Sequence, residues 1–409
     1  MPETNAPAVS EKDTYPIRTI LRDHEGFIRN SGLFDGEQRK AAACISRCKT
    51  GELGLNRAWC PKCGLELTHN CSCNNRNCPC CQYPQQQKWV ELRKAEVIPG
   101  IPYYHLVLTL PHKLNKLILA NEALLLKLLF SASSAAVTQL CQDPRHLGAT
   151  PGIVSVLHTW SQQLLPHFHV HMIVTGGGTT KDGGFLSLTQ FRQKHNRHKA
   201  NIPAGSFFLP LRALKKLFQG KFMAALRLLY CRNELSLPGD LAYLEDPREW
   251  HDFCDILYST EWVCFLKTTF NGNGNAIEYL ARYTFKTAIS NGRILQYDGR
   301  SVTFRTTNRE TQQKVDVTLK AEEFIRRFLT HVLPHGFSRV RYSGFLSNSQ
   351  KLKRLDAIFR LILQKPFTPS PLKNAGTLTV LAALLHKDVR VCPHCGAAMN
   401  FHPRDRPAV

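Results

Sequence analysis

The chain has 409 residues, long enough for two or three domains and at least one substantial hydrophobic core. Its 53 Lys and Arg against 31 Asp and Glu give a formal net charge of +22, which is unusual for a metabolic enzyme and typical of a protein that binds a polyanion. A hydrophobic content of 43% excludes wholesale disorder. The charged first thirty residues do not fit a secretory signal, and Lys116, Glu122 and Lys127 interrupt the most apolar stretch, so we expect a soluble protein without a membrane span.

The predicted elements begin with a polar lead and a short helix over residues 1–43, followed by a cysteine-rich segment and a polar helix around 85–94. Strands and helices then mix without a regular βαβ alternation, which predicts an α+β fold with a central antiparallel sheet. Apolar runs predict strands at 103–111, 153–160, 167–175, 262–270, 294–297, 302–306 and 314–319. Helical periodicity predicts helices at 112–141, 208–232, 276–287 and 321–332.

The cysteine-rich segment predicts bound zinc. Fifteen cysteines in an unsecreted chain favour metal ligands or reduced core thiols over disulfides. Two CxxC turns, each able to aim two thiolates at one ion, are typical of a closed tetrahedral zinc site. We therefore expect a structural Zn²⁺ bound by Cys60, Cys63, Cys78 and Cys81, with redox or incidental cysteines as the alternative. The candidates for a second zinc site, among which the sequence does not choose, are Cys44, Cys48, His69, Cys71, Cys73 and Cys80.

A single knuckle, Cys392-Pro-His-Cys395-Gly396, lies near the C-terminus. His386 or His402 is a candidate to complete a metal site there. A turn with two free thiols is an equal alternative.

Three histidines are predicted to converge on the hairpin formed by strands 153–160 and 167–175. His169 and His171 share one strand face, because side chains at i and i+2 point the same way. His158, on the preceding strand, can present a third imidazole. His167 lies on the same strand face as His169 and His171, and we treat it as a residue that resembles a ligand without being one. Three neutral imidazoles with open positions are typical of a divalent metal site that polarises a phosphoryl oxygen. A surface pair of histidines without metal is the simpler alternative.

Tyr279 and Tyr283 lie four residues apart on a predicted helix and therefore share a face. A tyrosine hydroxyl can attack a phosphodiester, and two on one face can act in succession, although helix packing is the common role of such a pair. Between residues 270 and 365, Lys and Arg outnumber Asp and Glu by 17 to 7, which favours a phosphate-contacting groove. The candidate DNA-binding residues are Arg282, Lys286, Arg293, Arg339 and Arg341.

Together these motifs resemble the HUH single-strand nucleases, and more specifically the two-tyrosine rolling-circle transposases of bacterial insertion sequences (the insertion sequence 91, or IS91, family). The resemblance covers roughly residues 30–350 and rests on segments 73–82, 104–111, 158–171, 176–178, 279–284, 288–291 and 336–341. It implies that Tyr279 and Tyr283 are nucleophiles and that His169 and His171 bind catalytic Mg²⁺ or Mn²⁺. Similarity to relaxases implies that His158 is the third ligand.

The resemblance also implies a domain organisation: a zinc-binding, DNA-contacting domain at 1–95, an HUH-type nuclease domain at 96–345, and a helical tail with the single knuckle at 346–409. The implied activity nicks single-stranded DNA at element ends, leaves a 5′-phosphotyrosine and a free 3′-hydroxyl, and rejoins the strand. No P-loop motif is present, consistent with ester exchange that needs no nucleotide hydrolysis. The implied partners are single-stranded and element-end DNA and host replication or helicase proteins, in the bacterial cytoplasm at the nucleoid.

Two departures and two alternatives accompany this interpretation. The chain has Asn77 and Phe285 where the family often has His. A plasmid replication initiator or relaxase shares the chemistry, and strand transfer to unrelated DNA separates it from a transposase. A non-enzymatic zinc-ribbon DNA-binding regulator predicts that replacing Tyr279 and Tyr283 with Phe leaves all activity intact.

Overall fold

The computed structural model describes residues 15–194, 209–270, 283–308 and 311–402. Within those ranges the strands are β1 (Leu55–Trp59), β2 (Glu66–Asn70), β3 (Tyr103–Thr109), β4 (Thr150–Trp160), β5 (Pro166–Thr179), β6 (Phe185–Ser187), β7 (Val263–Phe270), β8 (Ile294–Tyr297), β9 (Ser301–Thr307), β10 (Lys314–Lys320), β11 (Val340–Gly344) and β12 (Asn400–Phe401). The helices are α1 (Pro16–Asp23), α2 (Glu25–Asn30), α3 (Gly36–Ser46), α4 (Tyr83–Lys94), α5 (Asn115–Ala120), α6 (Glu122–Gln142), α7 (Leu188–Lys194), α8 (Leu211–Cys231), α9 (Pro247–Ser259), α10 (Ala321–Leu329), α11 (Lys351–Leu363) and α12 (Thr377–Leu385).

The largest described sheet is antiparallel and has the order β11-β4-β5-β3-β7, with β6 also paired to β5. Strands β4 and β5 are buried over almost their whole length, since other elements cover both faces of the sheet. The glycines at 176–178 end the predicted hairpin, and the lack of a side chain lets β4 and β5 approach closely. A Cβ at Gly178 would collide with the backbone of Thr150 on β4. The predicted α+β class with a central antiparallel sheet is confirmed.

Helix α6 packs against α8 and against β4, and contributes to the main hydrophobic core. Within the described ranges it is the one helix long and apolar enough to cross a membrane, by length and composition alone. Its most apolar window is 56% buried inside the protein, so the helix is part of the hydrophobic core. Burial of side chains such as Leu125, Leu129 and Val137 in the core explains why a helix of this protein is so apolar.

A second core joins the N-terminal helices to the sheet β10-β9-β8 and to α10. Helix α3 begins at a capping box, in which the Asp35 carboxylate accepts a hydrogen bond from the Gln38 backbone N–H and the Gln38 side chain accepts one from the Asp35 N–H. Cys48, Cys78 and Cys81 lie in this core together with Trp160 from β4. The cysteine-rich segment is therefore packed against the strand that carries His158.

The third sheet, β12-β1-β2, joins residues 55–70 to the last strand of the described chain. Strand β12 pairs antiparallel with β1, so that Ala58 lies opposite Phe401 and Trp59 opposite Asn400. The short strands of this sheet and β11 are not anticipated by the sequence patterns. The predicted helix at 276–287 lies mostly outside the described residues.

Candidate active site and metal centres

Strands β4 and β5 bring three predicted histidines together. His158 lies directly opposite His169 in the register, and His171 lies two residues further along the same face of β5. Ligand nitrogens of the three rings lie within 4.8 Å of one another, and all three side chains are buried. His167 is also buried, but its ring lies beside His112, 5.1 Å between ring centroids, and outside this group.

Hydrogen bonds fix each ring. The Nδ1–H of His169 donates to the carbonyl oxygen of His167 at 2.8 Å, which leaves its Nε2 as the nitrogen with the lone pair. The Nε2–H of His158 donates to the backbone carbonyl oxygen of Tyr283 at 2.6 Å. Nδ1 of His171 lies 2.9 Å from Nε2 of His105 on β3. Such contacts orient the rings and select their tautomers, as they do around bound metals.

His105 is a residue that the sequence patterns did not single out. It stacks on His171, with ring centroids 5.2 Å apart and nearly parallel planes, and it is buried. The available signal was its position, because it is the one histidine in the mostly apolar and aromatic run over β3. A charged or ionisable group in a buried strand needs a polar partner, and here that partner is His171.

The electrostatics of the cluster favour neutral imidazoles. Burial lowers the pKa of both His158 and His171 well below the usual range, and the neighbouring histidines lower it further. Metal coordination requires neutral imidazole, so this donor set fits a divalent cation at neutral pH. Nitrogen ligands suit a cation such as Mn²⁺ better than Mg²⁺, which prefers oxygen.

Tyr283 contacts this cluster. Its ring centroid lies 4.1 Å from that of His171 and 5.7 Å from that of His158. Tyr283 and the three histidines line a cavity of about 240 Å³, whose wall also includes Lys286 and Arg293. The other predicted nucleophile, Tyr279, and Arg282 lie outside the described residues. Phe285, at a position where His is expected from the resemblance, lies edge-on to Trp89.

The predicted basic residues divide into two groups. Exposed Lys286 and half-buried Arg293 line the cavity, where Arg293 donates to the carbonyl oxygen of Gln162 at 2.6 Å. Arg339 is instead buried, and its guanidinium donates to the Lys286 carbonyl oxygen at 3.2 Å and to Oδ1 of Asn77 at 3.1 Å. Burial lowers the pKa of Arg339 to about 10.

Arg339, predicted to bind DNA, is buried, and it links the cysteine-rich segment to the backbone beside Tyr283. Arg341 also lies away from the cavity, with its guanidinium 4.6 Å from the ring centroid of Phe130.

The structure groups the cysteines differently from the prediction. Four thiols lie within 4.8 Å of one another in each of two clusters: cluster 1 consists of Cys48, Cys73, Cys78 and Cys81, and cluster 2 of Cys60, Cys63, Cys392 and Cys395. The expected set of Cys60, Cys63, Cys78 and Cys81 is thus not assembled. The reason is β2, whose five extended residues span roughly 16 Å and separate the two predicted CxxC turns.

Cluster 1 uses two of the candidates for a second site, Cys48 and Cys73. The other described candidates lie outside both clusters, namely Cys44, His69, Cys71 and Cys80. Of the histidines near the C-terminal knuckle, His402 packs on Trp59, 4.2 Å between ring centroids, and His386 occupies the left-handed C-cap of α12. Neither completes a cysteine cluster.

Comparison with known proteins decides the family. A sequence profile described as "Putative transposase" matches residues 152–353, and one described as "Transposase zinc-binding domain", of the IS91 type, matches residues 20–110. The "Putative transposase y4qJ" of Sinorhizobium fredii is 36% identical over 363 residues, which cover 88% of this chain and 87% of that protein. The "Transposase for insertion sequence element IS801" of Pseudomonas savastanoi pv. phaseolicola is 26% identical over 408 residues, 97% of this chain and 90% of that protein.

This chain belongs to the IS91 family of transposases. It is an enzyme of DNA transposition, and its N-terminal region is a zinc-binding domain. In this transposase the histidine cluster and Tyr283 lie within the transposase match, and cluster 1 lies within the zinc-binding match. Cys392 and Cys395 lie outside both matches. No solved structure matches the chain.

Proposed function

We propose that this transposase cuts and rejoins single-stranded DNA at the ends of its insertion element through a 5′-phosphotyrosine intermediate, as an HUH nuclease. The observation that carries the proposal is the contact of Tyr283 with the buried histidine cluster, through ring packing on His171 and through the backbone hydrogen bond from His158. A nucleophile positioned beside a metal-ligand set is one arrangement that supports phosphoryl transfer to a side chain.

His158, His169 and His171 would hold the divalent cation. When bound, the cation supplies Lewis acidity toward a non-bridging oxygen of the scissile phosphate. The nitrogen-only donor set leads us to favour Mn²⁺ over Mg²⁺. Exposed Lys286, at the rim of the same cavity, would contact the phosphate as a point charge.

The Tyr283 hydroxyl would attack the scissile phosphorus while the bond from phosphorus to the 3′-oxygen breaks, and the proton that the tyrosine loses is taken up by the leaving 3′-oxygen, directly or through water. The products are a 5′-phosphotyrosine and a free 3′-hydroxyl, and one phosphoester replaces another. Attack by a 3′-hydroxyl on the phosphotyrosine expels the tyrosine and rejoins the strand, whereas a second tyrosine would attack a second scissile phosphate in the same way. We propose Tyr279 for the second attack from its four-residue spacing to Tyr283.

Burial of the histidines supports an unpaired substrate. The scissile phosphate has to enter a cavity of about 240 Å³, which favours a flexible single strand over a rigid duplex. The cavity shares Ser161 and Gln162 with an adjoining open groove of about 690 Å³, lined in part by His112 and His167. We propose that this groove holds the flanking nucleotides.

A covalent-trapping assay tests the proposal. The protein is incubated with single-stranded oligonucleotides from its element ends and Mn²⁺, and a denaturing gel reports any protein–DNA adduct. We expect a metal-dependent adduct that is lost in the Tyr279→Phe, Tyr283→Phe double variant and in the His169→Ala, His171→Ala double variant. The single tyrosine variants identify the residue that attacks first.

Tyr243→Phe is the matched control, because Tyr243 is 50% exposed on a 3₁₀ helix and does not line the cavity. It should form the adduct at the wild-type level. An adduct that survives the loss of both Tyr279 and Tyr283 would overturn the assignment of the nucleophiles. An adduct formed equally well without divalent metal would overturn the role of the histidines.

A further inference from the structure

Cluster 2 unites cysteines that are far apart in the sequence, in the turn between β1 and β2 and in the turn before β12. Sγ of Cys60 lies 3.4 Å from Sγ of Cys395, and Sγ of Cys63 lies 3.6 Å from Sγ of Cys392, across sequence separations of 335 and 329 residues. These distances are far too long for disulfides, whose sulfurs are about 2 Å apart. A tetrahedral zinc ion with Zn–S bonds of about 2.3 Å places its sulfurs about 3.8 Å apart. The observed spacing is close to the zinc value.

The two CxxC turns of cluster 2 have matching backbone geometry. The N–H of Gly64 donates to the carbonyl oxygen of Cys60, and the N–H of Gly396 donates to that of Cys392, both at 3.0 Å. Both glycines are left-handed, with φ of 72° and 73°.

Each knuckle is also closed by a second backbone bond. The N–H of Cys60 donates to Leu65 O at 2.9 Å, and that of Cys392 donates to Ala397 O at 2.7 Å. Two equivalent turns facing each other present four thiolates to one point, as zinc ribbons do.

The strands around the knuckles hold this arrangement. Strand β12 pairs with β1, the N–H of His402 donates to Arg57 O at 3.0 Å, and the His402 ring packs on Trp59. Beneath the thiols, Cys60, Cys392 and Met399 form a small buried core. A core of that size does not stabilise a fold by itself, and small domains of this kind depend on a metal or a disulfide.

We propose that Cys60, Cys63, Cys392 and Cys395 bind a second structural zinc ion, separate from cluster 1. The ion closes a zinc ribbon built from β1, β2 and residues 391–402, so this C-terminal segment is a structural part of the N-terminal zinc-binding domain. Binding releases the thiol protons and links folding of β1 and β2 to the presence of residues 391–402. The proposal is independent of the chemistry at Tyr283.

Zinc content of purified full-length variants, measured by elemental mass spectrometry, tests the ligand set. The Cys392→Ser, Cys395→Ser variant should lose one zinc ion relative to wild type, and so should Cys60→Ser, Cys63→Ser. Replacing all four should also remove only one ion, because they share one site. Adding Cys48→Ser and Cys73→Ser should remove a further ion. Cys231→Ser, at an exposed cysteine at the end of α8, should remove none.

Wild-type zinc content in the Cys392→Ser, Cys395→Ser variant would overturn the proposal. If a variant does not fold, the alkylation rates of cysteines in the wild-type chain test the same zinc site. Cys63 is exposed and Cys395 is half-buried, so without metal they should react with iodoacetamide about as fast as exposed Cys231. With zinc bound, their alkylation should be roughly tenfold slower or more, until a chelator is added. Equal alkylation rates for Cys63 and Cys231 in the zinc-loaded protein would overturn the site.

Discussion

The backbone carbonyl oxygen of Tyr283 accepts a hydrogen bond of 2.6 Å from Nε2 of His158, a residue 125 positions earlier in the chain. His158 is itself fixed in the sheet, directly opposite His169 and stacked on Trp160 with ring centroids 4.6 Å apart. The position of the proposed nucleophile is therefore tied to the same strand that supplies a proposed metal ligand. A substitution that shifts β4 should therefore displace both the proposed ligand His158 and the proposed nucleophile Tyr283.

His105 should set the metal affinity of the histidine cluster without being a ligand. It contacts Nδ1 of His171 at 2.9 Å, and loss of such an outer partner typically weakens metal binding by roughly 10- to 100-fold. We expect His105→Ala to weaken Mn²⁺ binding to that extent in an electron paramagnetic resonance titration. His105→Gln, which retains a hydrogen-bonding group, should recover part of the loss. His251→Ala, at an exposed histidine, is the control, and equal affinities for both alanine variants would contradict the prediction.

The link from Asn77 through Arg339 to the Lys286 carbonyl should contribute to stability. Asn77→Ala removes an acceptor from a buried guanidinium, which costs about 1.5–3 kcal/mol of unfolding free energy. Asn77→Asp keeps the acceptor and should be tolerated. Urea unfolding measures the effect, with Asn56→Ala on exposed β1 as a control expected within about 0.5 kcal/mol of wild type. An unfolding free energy for Asn77→Ala within about 0.5 kcal/mol of wild type would contradict the prediction that this link stabilises the protein.

His331 should make stability depend on pH. It is buried, its Nε2–H donates to Leu164 O at 3.0 Å, and Thr159 contacts its Nδ1. Burial lowers its pKa to about 4 from an ordinary value of 6.5. Between these values the unfolded chain binds the proton and the folded protein does not. Stability is therefore lost as pH falls through this window, by about 3 kcal/mol, and the group has no effect above pH 6.5.

His331→Gln removes this titration and keeps a donor for the Leu164 carbonyl. Urea unfolding at pH 7 and pH 4 should therefore show a loss about 3 kcal/mol smaller in the variant than in wild type. Other titrating groups are common to both proteins and cancel in the comparison. Identical pH dependence in the two proteins would show that His331 is not the group responsible.

Zinc removal should act differently at the two cysteine clusters. Cluster 1 shares its hydrophobic core with Trp160, which stacks on His158. We expect Cys48→Ser to lower both the melting temperature and the Mn²⁺ affinity of the histidine cluster. Cys392→Ser affects a small separate core around Cys60 and Met399, so it should leave the Mn²⁺ affinity unchanged. Equal losses of Mn²⁺ affinity would contradict the separation of the two clusters.

The sequence predicted the fold class and the convergence of three histidines because both depend on local patterns. Alternation along a strand sets the shared face of His169 and His171, and a hairpin with a short loop leaves few registers that bring His158 alongside them. The role of Arg339 was not predictable in the same way. An arginine in a basic segment indicates phosphate contact, and only its burial against Asn77 shows that it holds the backbone instead.

The sequence by itself determined that this chain is a basic α+β protein, which residues are its candidate metal ligands and nucleophiles, and which family its motifs resemble. Only the tertiary structure decided which cysteines meet. CxxC spacing shows that two thiolates share an ion, but the partner pair depends on where the strands between them lead. Strand β2 separates Cys60 and Cys63 from Cys78 and Cys81, and the pairing of β12 with β1 brings Cys392 and Cys395 to them instead. Contacts across more than 300 residues are fixed by packing of the whole chain and leave no local pattern.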